Sequence, residues 1–241
     1  MWEWLLEPID PNRAHQVGFA ISWHGRMMVL AWGVIAPLAV LTARFLKVLP
    51  WQDWPRELDN QFWWRAHWIG QSVVVALTAL AVLLIQSAVT ATGWHGRLGY
   101  TVLALAALQV GFGMIRGSKG GPTARAADGS LRGDHYDMTR WRLVFEFLHK
   151  SIGYLTLSVA LMSLSLGLWD ANAPRWMWMM LGAWWTFLLA MALLLQGRGW
   201  AVDTYQAIWG PSLAHPGNRR PSQGWGMRRI PSEEAKNVRS G

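Results

Sequence analysis

Long apolar runs separated by short polar connections dominate this chain of 241 residues. We place membrane-spanning helices at about 22–45, 67–91, 95–116, 147–169 and 176–196. Each run holds close to the roughly 20 residues that cross about 30 Å of hydrocarbon, whereas a soluble domain would spread its apolar residues periodically. The pattern predicts an all-α membrane bundle of five spans. Pro37 lies inside the first span and predicts a local kink, tolerated because neighbouring groups can satisfy the carbonyl that it frees.

Composition narrows the chemistry of the bundle. The chain is 52% hydrophobic and 15% charged, and it has no cysteine. Disulfides, thiolate-held iron–sulfur clusters and covalently attached c-type haem are therefore excluded. The net charge of +8 comes from residues in connections and tail beside the spans, so it is explained by membrane topology and no nucleic-acid partner is expected.

The basic residues predict the orientation. Five spans put 18 of the 22 Lys and Arg residues on one side, which we assign to the cytoplasm, with the N-terminus outside and the C-terminus inside. We divide the chain into an outer-face segment 1–21, a four-helix core 22–169, a fifth transmembrane helix 170–198 and a cytoplasmic basic tail 199–241. The tail is rich in Pro, Gly, Ser and Arg and is predicted to be disordered.

A histidine opens each of the first four spans: His24, His67, His95 and His149. Because successive helices run in opposite directions, His24 and His95 are expected near the outer face, and His67 and His149 near the cytoplasmic face. Two pairs at two depths is the arrangement required by two bis-histidine haems, held noncovalently between facing helices of a bundle.

Other interpretations of the histidines remain. A single histidine of this kind is more often a hydrogen-bonded residue at the membrane interface, and a zinc or copper site would gather three or four ligands at one depth. His15, His135 and His215 lie in loops or tail and are interpreted as solvated, with His135 also a candidate for a role at a cytoplasmic substrate site.

Three glycines follow the histidines by about one turn. Gly70 comes three residues after His67, while Gly99 and Gly153 each come four residues after a histidine. A missing side chain there leaves room for a flat macrocycle, although close helix packing is the alternative. Gln109, in the middle of the third span, is expected to hydrogen-bond inside the bundle.

Basic residues near the histidines are candidate partners for haem propionates, which carry negative charge. They are Arg26 and Arg97 on the outer side, and Arg65, Arg140, Arg142 and Lys150 on the cytoplasmic side. For each of them the alternative is that the side chain snorkels to the membrane interface and its charge serves only to set the topology.

Four segments together resemble the cytochrome b561 family over about residues 20–170. They are HGRMMVLAWGVIAPLAVLTARF, the span opened by His67, HGRLGYTVLALAALQVGFG and LHKSIGY. The likeness is to a bacterial member with the eukaryotic-type core. It implies a four-helix core with two b-type haems, one held by His24 and His95 and the other by His67 and His149. Family members move single electrons across membranes, many from cytoplasmic ascorbate to an outer acceptor such as ferric iron or monodehydroascorbate.

The chain departs from well-known members of that family, which have six helices rather than five. Their ascorbate-binding basic residues are only loosely echoed by Arg65, Arg140, Arg142 and Lys150. The expected partners are therefore membrane lipid and either a small redox molecule, quinol or ascorbate-like, or a periplasmic redox protein.

The predicted function is transmembrane electron transfer by an oxidoreductase or electron carrier of the bacterial inner membrane. The alternative is an accessory haem-bearing subunit of a larger respiratory or photosynthetic complex, and a homodimer is a further assembly that the sequence allows. A scaffold or transporter without haem is the third hypothesis, although no intramembrane acidic site indicates coupled transport.

Overall fold

The computed structural model of the chain describes residues 2–15, 17–86, 93–116, 140–219 and 226–231. Within these residues the fold is helical, and five helices are long and apolar enough to cross a membrane. They run through Phe19–Phe45, Phe62–Gln86, Gly93–Ile115, Arg140–Asp170 and Arg175–Gly197. The predicted all-α fold with five spans is confirmed.

We number the helices along the chain. A short α1 (Trp2–Leu6) comes first, and the first span then consists of α2 (Phe19–Met28), a π-helical segment (Val29–Ile35) and α3 (Ala36–Phe45). The other spans are α4 (Phe62–Gln86), α5 (Gly93–Ile115), α6 (Arg140–Asp170) and α7 (Arg175–Gly197). They are followed by α8 (Thr204–Trp209) and a 3-10 turn (Pro216–Arg219).

Two spans begin earlier in the chain than their apolar runs. α4 begins five residues before His67, and α6 begins nine residues before His149. The polar first turns of α6 remain helical because Arg142 and Phe145 are buried and Glu146 pairs with Lys150 one turn later. His149 therefore lies inside its helix, about 13 Å from the start at 1.5 Å per residue, rather than at its N-terminal end as predicted.

A proline interrupts the hydrogen-bond ladder of the first span. Pro37 has no N–H to donate to the carbonyl four residues earlier, which is that of Gly33. The indole Nε1 groups of Trp184 and Trp185, on α7, donate to this oxygen at 2.9 Å and 3.3 Å. The expected irregularity is thus present as the widened segment Val29–Ile35, and a neighbouring helix satisfies the freed carbonyl.

The described residues group into two compact units. The first lies within residues 1–39, 68–109 and 152–191, and the second within residues 40–67, 110–151 and 192–241. The core of the first unit consists of small and branched residues together with a tryptophan, and its alanines let the helices approach closely. The core residues are Ala31, Trp32, Ala36, Val74, Val102, Val159, Ala160 and Leu164.

In the first unit, the segment before the first span folds against the connection between α6 and α7. Asn172 is 2% exposed, and its side-chain oxygen accepts from the backbone N–H of Asp10 at 3.0 Å. Its side-chain nitrogen donates to the carbonyl of Arg13 at 2.7 Å, and Arg175 pairs with Glu7. A buried asparagine and an ion pair therefore hold the predicted outer-face segment in place.

In the second unit, much of the chain after α7 is folded. The side chain of Asp203 caps α8 by accepting from the backbone N–H of Tyr205 at 2.9 Å, and the last four residues of α8 are buried. Lys47 Nζ donates to the carbonyl of Val202 at 2.9 Å. The predicted disorder of residues 199–241 therefore does not extend to 199–219 and 226–231, because specific tertiary contacts order a composition typical of flexible segments.

Candidate haem-binding sites

The first histidine pair, His24 of α2 and His95 of α5, lies in the first unit. The ring centroids are 6.2 Å apart and the ring planes are perpendicular, at 90°. Two metal–nitrogen bonds of about 2 Å each, extended to the centres of the rings, place two axial imidazoles about 6 Å apart. The spacing of the pair therefore fits a shared iron atom.

Hydrogen bonds at Nδ1 orient both rings of this pair. His24 Nδ1 lies 3.1 Å from the carbonyl oxygen of Ala81, and His95 Nδ1 lies 2.9 Å from that of Ser163. A carbonyl oxygen only accepts, so each Nδ1 carries the proton, and Nε2 of the neutral ring keeps its lone pair. Metal-binding histidines are oriented in this way, with the second ring nitrogen donating to a backbone carbonyl.

A glycine that the sequence did not single out makes room for His95. A Cβ atom at position 167 of α6 would lie 2.9 Å from Cε1 and 3.1 Å from Nδ1 of the His95 ring. Gly167 has no nearby histidine in its own helix, so its role depends on the packing of α6 against α5. The sequence carries no signal for this contact.

The second histidine pair, His67 of α4 and His149 of α6, lies in the second unit. Its ring centroids are 6.1 Å apart and its ring planes meet at 82°. Phe145, one turn before His149, stacks on that ring with centroids 5.2 Å apart and planes 17° apart. The spacing of this pair also fits a shared iron atom, with an aromatic ring holding one ligand in place.

Positive charge surrounds the second pair. Arg116 and Arg142 are 9% and 8% exposed, and their guanidinium groups lie 3.9 Å from the ring centre of Trp64 and 5.2 Å from that of Phe145. Arg142 thus lies over the same ring that stacks on His149, and Arg116 lies over Trp64, three residues before His67. Arg116 was not among the predicted partners, although its place at the end of the third apolar run was the available signal.

The other predicted cations have different surroundings. Lys150 Nζ forms an ion pair with the Glu146 carboxylate at 2.6 Å. The same carboxylate accepts from Thr204 Oγ1 at 3.2 Å. Glu146 was not among the residues predicted from the sequence. Arg65 and Arg140 are exposed.

Near the first pair, Arg26 and Arg97 are exposed and each lies over an indole three residues earlier in its own helix. The distances to the ring centres are 5.3 Å for Trp23 and 5.0 Å for Trp94. Such stacking is typical of cations at a membrane interface. A role with haem propionates stays a prediction for both arginines.

The three predicted glycines differ in their neighbours. A Cβ at Gly70 would lie 3.0 Å from Cβ of Ala39, which favours close helix packing at that position. A Cβ at Gly153 would lie 3.6 Å from Nε2 of Gln109, so this glutamine faces α6 inside the first unit. At Gly99, no other described residue beyond the adjacent turns of α5 comes within 4 Å of the Cβ position, so there is open space beside the helix.

The remaining histidines make local contacts. His15 is exposed, and its Nδ1 lies 2.9 Å from the carbonyl oxygen of Ala171. His215 packs against Trp209, with ring centroids 5.9 Å apart, whereas it was expected to be solvated. His135 lies outside the described residues. Among the residues that the structure describes, no group of three or more His, Asp and Glu side chains could hold a metal ion.

Two proteins of Arabidopsis thaliana are similar to this chain. A cytochrome b561, DM13 and DOMON domain-containing protein is 26% identical over 148 residues, which is 60% of this chain and 14% of the relative. A cytochrome b561 and DOMON domain-containing protein is 27% identical over 205 residues, which is 83% of this chain and 45% of the relative.

This similarity supports the cytochrome b561 family. The chain spans less than half the length of either relative. No family model matches the chain, and no solved structure matches it.

Proposed function

We propose that this protein is a membrane electron carrier that holds two b-type haems, one at each histidine pair. It would link a small reductant or quinol on one side of the membrane to an acceptor on the opposite side. The carrying observation is that one geometry recurs in both units, with ring centroids 6.2 Å apart in the first pair and 6.1 Å apart in the second.

Bound haem supplies reversible one-electron chemistry, and the protein supplies ligands, orientation and local charge. In the first pair, the carbonyls of Ala81 and Ser163 accept from Nδ1, so that Nε2 of each ring would be the nitrogen that holds the haem iron. In the second pair, Phe145 fixes the plane of the His149 ring. Neutral, preoriented imidazoles are the form that axial ligation requires.

Cations near the pairs suit the propionate groups. We assign Arg116 and Arg142 to the second pair, because both are nearly buried and lie over aromatic rings beside its histidines. At the first pair, Arg26 and Arg97 are the assigned partners. Arg65 and Arg140 are exposed and are assigned to contacts with a soluble or lipid-soluble redox partner.

The proposed setting is a bacterial inner membrane with the first pair towards the outer face and the second towards the cytoplasm. The bias of 18 of 22 basic residues supports this orientation. Quinol is the favoured donor over ascorbate, because the ascorbate-type basic cluster is only loosely present.

Haem content tests the proposal directly. A pyridine haemochrome assay should give two haems per chain for the purified protein, and one haem for His95→Ala and for His149→Ala, since each variant removes a ligand from a different pair. His15→Ala, which changes an exposed histidine outside both pairs, should keep two.

Two haems retained in both ligand variants would contradict the pairing. If the purified chain contains no haem, the proposed function is wrong. Stable co-purification with a larger haem-containing membrane complex would favour the accessory-subunit alternative.

A further inference from the structure

We propose that Trp184 and Trp185, on the fifth span, are positioning residues for His24. Their indole N–H groups hold the first span in its widened form, and that form directs His24 and Trp32 to the same neighbouring helix. The inference rests on the proposed function, because the position of His24 matters most when it binds a haem.

The first step is the carbonyl of Gly33. Its α-helical donor would be the N–H at position 37, and Pro37 has none. Hydrocarbon offers no water to bond an unsatisfied carbonyl, so a substitute donor is strongly favoured. Trp184 and Trp185 both donate to this oxygen, which has two lone pairs, at 2.9 Å and 3.3 Å.

The second step concerns the directions in which His24 and Trp32 point from the first span. A regular α-helix turns about 100° per residue, so residues eight apart are about 80° out of phase. His24 and Trp32 are eight apart, yet both bond to α4: His24 Nδ1 to the carbonyl of Ala81, and Trp32 Nε1 to Thr78 Oγ1 at 3.0 Å.

The π-helical segment explains this shared direction. At its end the N–H of Ala36 donates to the carbonyl of Ala31, five residues earlier rather than four. The wider turn rotates less per residue and brings Trp32 back towards the face that carries His24. A tightened turn would move one of the two side chains away from α4.

The third step concerns α7, which carries no histidine ligand. Trp185 packs against the core of the first unit, and Trp184 stacks on Phe187 with ring centroids 5.8 Å apart. Contacts other than the bonds to Gly33 therefore hold both indoles in place: the core holds Trp185, and Phe187 of the same helix holds Trp184. The fifth span acts as a clamp on the irregular turn of the first span.

The test uses the complete haem-loaded protein and the double variant Trp184→Phe/Trp185→Phe, which keeps aromatic bulk and removes both N–H donors. Electron paramagnetic resonance and redox titration follow each haem, identified by its loss in His95→Ala or His149→Ala. We expect the signal and midpoint potential of the first-pair haem to shift while those of the second-pair haem stay unchanged.

Each single variant leaves one donor on Gly33, so its shift should be less than half of that in the double variant. The matched control is Trp178→Phe. This tryptophan is also on α7, but its buried Nε1 has no hydrogen-bond partner among the residues that the structure describes, so the substitution should shift neither haem.

An unchanged first-pair haem in the double variant would overturn the proposal, and so would equal shifts at both haems, which indicate a general loss of structure. Thermal unfolding of the haem-free chain separates this inference from the proposed function. If the double variant unfolds at a lower temperature than Trp178→Phe but the first-pair haem keeps its signal, the clamp has no positioning role, although the haem function stands. A chain that binds no haem would instead overturn the proposed function itself.

Discussion

The ring of His95 fits against α6 because position 167 has no side chain. In Gly167→Ala the new Cβ would lie 2.9 Å from Cε1 of that ring, closer than real Cβ contacts, so the imidazole must move. If His95 holds one of the two proposed haems, we expect the affinity for that haem to fall about 10-fold or more, as when the orientation of a metal ligand is disturbed. Haem titration of the haem-free variant measures this loss.

Gly182→Ala is the matched control for that substitution. It adds the same methyl group to a membrane helix of the same unit, where no described residue beyond the adjacent turns of that helix lies within 4 Å. Its haem affinity should equal that of the unaltered protein. Equal haem affinity in Gly167→Ala and Gly182→Ala would contradict the placement of the His95 ring against α6.

Lys47, just beyond the first span, is the residue whose charge state should affect stability near neutral pH. It is 3% exposed, and burial, with a contribution from the charge of Lys150, lowers its pKa to about 7. The unfolded chain keeps a lysine pKa of about 10.4, so between these values the unfolded state binds more protons. The free energy of unfolding therefore rises with pH across this window, by at most about 1.4 kcal/mol per pH unit.

The comparison of Lys47→Met with the unaltered protein isolates this titration. Thermal unfolding in detergent at pH 7, 8, 9 and 10 should show the unaltered protein gaining stability relative to the variant as the pH rises. A difference between the two proteins that is constant over this range would show that Lys47 does not titrate there.

At the scale of helices, the five spans were predictable because each apolar run matches the thickness of a bilayer. The starts of α4 and α6 were not, since Arg142 and Glu146 give the first turns of α6 the composition of a loop. Side-chain contacts keep these turns helical: Arg142 is buried over Phe145, and Glu146 pairs with Lys150. An isolated sequence window does not carry that information.

The histidine pairs were predictable for a different reason. Antiparallel neighbours bring histidines of alternate spans to similar depth, so helix order alone matches His24 with His95. The partners of Gly33 were beyond the sequence: Pro37 predicts a freed carbonyl, but which indoles reach it depends on how α7 packs. The six residues of α8 are likewise too few to give a readable period, and their cap and contacts come from the tertiary fold.

For the whole molecule, the decisive question is which side of the membrane each end of the chain faces, because under the proposed function the orientation decides which redox partner each histidine pair would meet. Residue 2 precedes the first span and residue 51 follows it, so one crossing separates them. The distribution of basic residues predicts that residue 2 lies outside and residue 51 in the cytoplasm.

The absence of cysteine from the sequence makes this orientation directly measurable. Trp2 and Trp51 are both 80% exposed, so Trp2→Cys and Trp51→Cys offer thiols of matched access that differ in the side they occupy. In bacterial spheroplasts a membrane-impermeant maleimide should label Trp2→Cys at once and Trp51→Cys only after permeabilisation, while the cysteine-free parent stays unlabelled. The reverse pattern would show that the chain has the opposite orientation, with the second histidine pair towards the outer face. Labelling of both thiols in intact spheroplasts would show that Phe19–Phe45 does not cross the membrane.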